Sequence, residues 1–279
     1  MDRRPLGRSE LVIEPLVLGG NVFGWTVDEA KGFDILDAYV EAGFTAIDTA
    51  EGYPNWVPGN PPGMSETIIG KWMKARGNRE AVHIFTKVNS GKKPGGLSAK
   101  AIHESVEASL NRLQTDYIDL YFSHWPDAET SHEETLAAYD PLVRSGRVRV
   151  IGASNYTAEM VREAQQTAII KSLPRYDVLQ PRYNLYDRAE FEALRDQARD
   201  LKNHTLANLE HHHFKYDVFR QPGDLHVHMF GTATLSFADG IGCREGDEVE
   251  ISAPGFGVPL KNRLAFKAAE AGAAQVKVL

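Results

Sequence analysis

Several polar residues stand at the ends of short apolar runs: Asp48 after AI, Lys87 after IFT, His124 after LYFS, Ser154 and Asn155 after IGA, and Gln180 within VLQP. Tyr53 follows shortly after Asp48. Reduction of a carbonyl by hydride needs a proton donor near the forming alkoxide. It also needs a positive group to make that donor acidic enough, and a neutral hydrogen-bonding group to orient the substrate. Tyr53, Lys87 and His124 suit those roles in turn. Tyrosine has an unperturbed pKa of about 10, so an ammonium beside it is required, and a carboxylate such as Asp48 can hold that ammonium in place. One strand-end lysine or histidine is more often a packed or solvated side chain. Four such residues in order, each with its own apolar run, are a stronger sign.

The elements that must position them read as a repeat. The runs PLVLGG (15–20), TAIDTA (45–50), VHIFTKV (82–88), YIDLYFSH (117–124), VRVIGASN (148–155) and VLQPRYN (178–184) are candidate strands. Between them, residues 29–43, 64–76, 98–113, 132–145, 157–171 and 189–200 carry apolar positions at helical spacing. In the third helix Leu97, Ile102, Val106, Leu110 and Leu113 share a face, with Ser98 as the expected N-cap. Strand and helix alternating every ~30 residues mark parallel βα units. A doubly wound sheet is the rival architecture, but no strand leads into a G-x-G-x-x-G turn. The better fit is an α/β chain forming an incomplete (β/α)8 TIM-type barrel of six βα units, in which chemistry belongs at the strands' C-terminal ends. Arg4 to Leu6 and Leu11 to Ile13, flanking GRSE, suggest a hairpin plugging the barrel's bottom.

Composition narrows the partners. The 279 residues carry 31 Lys plus Arg against 38 Asp plus Glu, a net charge of -7, so no global positive field favours nucleic acid or an anionic membrane. No window reaches the roughly 18 uninterrupted apolar residues of a membrane span. The first residues, MDRRPLGRSEL, have no apolar stretch behind their charges. A small-molecule partner and a cytoplasmic location are expected. The single cysteine, Cys243, has no second thiol for an internal disulfide.

DTAEGY (48–53), FTKV (85–88), YFSHW (121–125), GASNY (152–156) and VLQPRYN (178–184) resemble the successive strand-end motifs of the aldo-keto reductases, in order and in spacing. LGRSEL (6–11) and the loop GYPNWVPGNPPGMSE add to the likeness. The resemblance implies Tyr53 as general acid, Lys87 and Asp48 as the partners that tune it, and His124 as the group that orients the substrate. It also implies NADPH as cofactor, with Ser154, Asn155 and Gln180 hydrogen-bonding its nicotinamide carboxamide. Trp56 is a candidate lining residue of an apolar substrate pocket. Trp125 and Tyr183 divide evenly between packing and ligand contact.

The βα rhythm breaks near residue 200. Residues 201–279 read as glycine and proline turns with β-type runs such as DLHVHMFG, TATLSF and EVEISA. HTLANLEHHHFKYD, GDLHVHMFGTATLSFADGI and EISAPGFGVPLKN, about 204–263, resemble the C-terminal end of the fumarylacetoacetate hydrolase family, in its sugar-acid dehydratase branch. That family binds magnesium through carboxylates upstream of this region, and residues 1–200 do not supply them in its pattern. His211, His212, His213, His226 and His228 read as a polar strand face rather than a metal site, and no metal is expected.

The expected organisation is a partial reductase barrel over 1–200 joined to a β segment over 201–279, a chimeric chain. The leading reading is an NAD(P)H-dependent enzyme reducing aldehydes or ketones to alcohols, impaired by the missing last barrel units. The alternatives are a hydrolase-family remnant acting on a 2-keto sugar acid and a non-catalytic chimeric protein. Six strands cannot close an eight-stranded barrel, so unpaired edges suggest homo-oligomers through strand exchange. The stretch past residue 200 also lacks the family's basic grip on the 2'-phosphate, which predicts weak binding of NADPH.

Overall fold

The computed structural model describes residues 3–7, 9–183, 191, 193–194, 248–251 and 260–263, and the chain divides into two compact units, Met1–Arg220 and Gln221–Leu279. In the first unit the strands are β1 (Arg4–Pro5), β2 (Val12–Ile13), β3 (Val17–Gly19), β4 (Ala46–Asp48), β5 (His83–Val88), β6 (Ile118–Ser123), β7 (Val148–Ser154) and β8 (Val178–Gln180). The helices are α1 (Glu29–Glu41), α2 (Met64–Arg76), α3 (Ala99–Leu113), α4 (His132–Arg144) and α5 (Ala158–Lys171). Strands β3 to β8 form one parallel sheet in chain order. A helix follows each strand from β3 to β7, so the sheet is a curled portion of a (β/α)8 barrel. The expected helix over 189–200 lies outside the described residues except for 191, 193 and 194.

Helix starts follow local side-chain chemistry. Asp28, Ser98, Ser131 and Thr157 each accept a hydrogen bond from a first-turn amide, at Lys31, Ala101, Glu134 and Met160 respectively. Helix α3 buries Ile102, Val106, Leu110 and Leu113, the face expected from their spacing.

Successive side chains on a strand point to opposite faces, and this sorts the core into two layers. On the helix side Ile47, Ile84, Tyr121, Ile151 and Leu179 pack with Leu36, Ile69, Trp72, Val106, Leu136 and Ala164. On the inner side Ala46, Phe85, Leu120, Phe122, Val150 and Val178 meet Leu6, Leu11 and Ile13. The second set explains the N-terminal hairpin, in which β1 pairs antiparallel with β2, Arg4 opposite Ile13. Its apolar residues close the bottom of the barrel interior, where open strand ends would otherwise leave Phe85 and Phe122 wet. Gly152 is required at the contact between β6 and β8, because a Cβ there would lie 2.6 Å from the Phe122 ring and 2.8 Å from the Val178 carbonyl oxygen.

Among the described residues β3 and β8 are the two ends of the sheet. Within the second unit, β9 (Glu248–Ile251) pairs antiparallel with β10 (Leu260–Arg263). The β-type runs DLHVHMFG and TATLSF, the histidines between His204 and His228, and Cys243 lie outside the described residues.

Candidate active site

The alternation that seats the plug also places the site. Ala46 faces inward, so Asp48 does too, and by the same parity Phe85 carries Lys87, Phe122 carries His124, Gly152 carries Ser154 and Val178 carries Gln180. Five side chains thus converge above the apolar plug at the C-terminal mouth. Tyr53 arrives differently. The loop after β4 prolongs the pairing with β5, Thr49 N–H donating to the Phe85 carbonyl at 2.8 Å and Glu51 N–H to the Lys87 carbonyl at 3.2 Å. Ser65 N–H, in the first turn of α2, donates to the Tyr53 carbonyl at 3.1 Å. The loop is thereby fixed at both ends with Tyr53 over Lys87.

Lys87 is fully buried, and its Nζ donates to Asp48 Oδ2 at 2.6 Å and to the Thr49 carbonyl at 2.8 Å. The same Nζ lies 5.1 Å from the Tyr53 ring centroid. The His124 ring stands edge-on to Tyr53, with centroids 5.7 Å apart. Gln180 Nε2 donates to Asp48 Oδ1 at 3.3 Å, so the carboxylate joins β4, β5 and β8. Ser154 Oγ donates to the Gln180 carbonyl at 3.0 Å, and Asn155 Nδ2 donates to the His124 carbonyl at 2.9 Å. All seven residues expected from the sequence therefore lie in one connected group. Asn155 adopts the left-handed φ of 59°, which turns its amide back toward β6.

Electrostatics divide the group into distinct protonation states. Burial pushes the Tyr53 phenol up from its ordinary value, the Lys87 ammonium pulls it back down, and Asp48 raises it again. Burial outweighs the ammonium, which differs from the net acidification expected from the sequence. The physical reason is that the apolar barrel interior desolvates a phenolate more than one already paired ammonium can repay. His124 is held down to about 3, first by burial and then by the charges of Lys87 and Lys92. It is neutral at pH 7.

Aromatic residues form the rim. Trp56 is 46% exposed and makes edge contacts with both Tyr53 and Trp25, each at a centroid distance of 5.7 Å. Trp125 stacks beside His124 at 6.1 Å, and Lys92 Nζ lies 3.5 Å from the centre of its ring. Tyr183 packs against Phe191 at 4.5 Å.

Two residues escaped the sequence reading. Ser90 Oγ lies 2.9 Å from His124 Nδ1, and Glu51 accepts the Ser90 N–H at 3.2 Å on one carboxylate oxygen and the Ser105 hydroxyl on the other. Glu51 was visible inside DTAEGY. Ser90, just past the end of β5, breaks no pattern that periodicity could detect. Among the described residues no three His, Cys, Asp or Glu side chains are grouped to hold a metal ion.

The Aldo/keto reductase family profile matches residues 15–210. Over 202 residues the chain is 38% identical to the aldo-keto reductase YhdN of Bacillus subtilis, a match covering 71% of this chain and 57% of that relative. It is 39% identical over 211 residues to the uncharacterized oxidoreductase YrpG of the same organism, covering 72% of this chain and 64% of YrpG. The chain thus spans less than two thirds of the length of either relative. A solved structure of the thermostable aldo-keto reductase Tm1743, in complex with the inhibitor epalrestat, matches with a TM-score of 0.61 and 34% identity, over 72% of this chain and 69% of that one. The matched range contains β3 to β8 and every residue of the site, and the chain belongs to the aldo/keto reductase family.

Proposed function

We propose that the chain is an NADPH-dependent oxidoreductase that reduces small aldehydes or ketones to alcohols, with Tyr53 as proton donor. The observation that carries this reading is the buried Lys87 ammonium, 2.6 Å from Asp48 and 5.1 Å from the Tyr53 ring centre. NADPH, held beside Ser154, Asn155 and Gln180, would supply hydride chemistry to the carbonyl carbon. The other roles fall to side chains. Neutral His124 donates a hydrogen bond to the carbonyl oxygen and orients it. Tyr53 passes its phenolic proton to that oxygen as the alkoxide forms. Lys87 stabilises the phenolate left behind, and Asp48 holds Lys87 in place.

The residues present fit a nicotinamide carboxamide. Ser154, Asn155 and Gln180 offer a hydroxyl and two amides at adjoining strand ends, beside Asp48 and His124. Trp56 and Trp125 favour an apolar or aromatic substituent on the substrate. The chain is proposed to work on small molecules in the cytosol. Among the described residues no helix is long and apolar enough to cross a membrane.

Isothermal titration and aldehyde-dependent oxidation of NADPH test the reading. Each lost charge-assisted contact costs about 1.5 to 3 kcal/mol. With the 2'-phosphate grip absent from the pattern past residue 200, binding is expected to be at least about a hundredfold weaker than in a typical family member measured alongside, with poor preference over NADH. No binding at millimolar cofactor, and no oxidation, would refute the function.

A further inference from the structure

His124 is neutral, so one ring nitrogen carries a proton and the other does not, and only the proton-bearing one can donate to a carbonyl oxygen. The Ser90 hydroxyl faces Nδ1 at 2.9 Å. We propose that Ser90 is a positioning residue that donates its hydroxyl proton to Nδ1 and so fixes His124 as the Nε2–H tautomer.

The surroundings favour that direction. The Ser90 backbone N–H is already committed to Glu51, and the Glu51 carboxylate is itself tied to α3 through Ser105. The turn beyond β5 is clamped from the other side as well. Asn89 sits at a left-handed φ of 65°, its Nδ2 donating to the Trp125 carbonyl at 3.1 Å and its Oδ1 accepting the Lys93 N–H at 3.0 Å. Ser90 is therefore held between the loop that carries Tyr53 and the strand end that carries His124. Close approach of these segments depends on Gly52, where a Cβ would lie 2.5 Å from Ser90 Cβ and 3.1 Å from Ser90 Oγ. A hydroxyl donating to Nδ1 uses its only proton. The reverse bond would leave that hydroxyl proton without a protein acceptor among the described residues, where Oγ meets only His124. Asn155 adds a second restraint by donating to the His124 carbonyl.

The use of the Nε2 proton rests on the reductase reading, but the tautomer does not, and the test separates the two. The full chain is labelled with 15N-histidine and observed by NMR at neutral pH without ligands, His124 being assigned by its disappearance in His124→Asn. A protonated Nε2 and an unprotonated Nδ1 are expected in the parent. Ser90→Ala is expected to raise the Nδ1–H population by about fivefold to tenfold, the equilibrium equivalent of one lost hydrogen bond, and Ser90→Thr to restore the parental pattern. With NADPH and an aldehyde, Ser90→Ala is expected to raise the carbonyl KM only in proportion to the Nε2–H fraction lost, while leaving cofactor affinity unchanged. A parental Nδ1–H tautomer, or an unchanged one in Ser90→Ala, overturns the proposal. The expected tautomers without any aldehyde reduction would uphold Ser90 and refute the reductase reading instead.

Discussion

Lys87 Nζ and Asp48 Oδ2 lie 2.6 Å apart across adjoining strands, and the lysine side chain has no solvent exposure. Burying an ammonium costs several kcal/mol unless a well-placed carboxylate and further acceptors repay it. Asp48 and the Thr49 carbonyl provide both. The pair holds a positive charge beside Tyr53 that water would otherwise screen.

Lys87→Met removes that charge at similar volume. The ammonium opposes the rise that burial imposes on Tyr53, so its loss raises the phenol further. Carbonyl reduction should slow, and the alkaline limb of its pH profile should move to higher pH, because the phenol keeps its proton longer. The pH dependence of kcat/KM in parent and variant checks this, and a parental profile would remove the tuning role from Lys87.

His124 gives a stability prediction with a defined sign. In the folded chain it is lowered to about 3 from an ordinary 6.5, so the unfolded chain binds the proton first. Stability should therefore fall as pH drops from 6.5 towards 3, by at most about 1.4 kcal/mol per pH unit from this group. Urea unfolding at pH 6.5 and pH 5, compared between parent and His124→Asn, isolates the effect, because titrating groups common to both chains cancel in the difference. The variant should lose less stability over that interval.

Arg112 and Glu66 test the frame behind the site. Glu66 is fully buried, accepting from Arg112 Nε at 2.6 Å and from Thr86 Oγ1 at 2.5 Å, beside Lys87 in β5. Gly63 leaves room for the guanidinium, since a Cβ there would lie 2.2 Å from Arg112 Nε. Arg112→Ala strands a buried carboxylate and should cost about 3 kcal/mol in urea unfolding, with Arg112→Lys recovering part of it. A loss below 1 kcal/mol, on the order of a surface pair, would show that water reaches Glu66.

The strand ends were legible because parity and chain order leave little freedom. Once Phe85 and Phe122 face the plug, Lys87 and His124 must face the mouth. Tyr53 was legible through DTAEGY, not through geometry, since its position depends on a loop anchored by Thr49, Glu51 and Ser65. Ser90 was not legible, because its role rests on a turn at Asn89 and a close approach at Gly52 that no periodic pattern encodes. The net direction of the Tyr53 shift is hidden from the sequence for a related reason. Sequence places the charges near one another but does not reveal how far a loop buries the ring.

The most direct measurement is the rate of NADPH oxidation by a reactive aldehyde at saturating cofactor, in the parent and in Tyr53→Phe, with the NADPH dissociation constant of each. Phenylalanine removes the transferable proton and little volume. A positioned acid contributes about 10² to 10⁴ in rate, so the variant should be slower by about that factor with unchanged cofactor affinity. A parent that oxidises no NADPH, or a Tyr53→Phe variant that reduces the aldehyde as fast as the parent, would contradict the assignment of Tyr53, Lys87, Asp48 and His124 as a carbonyl-reducing site.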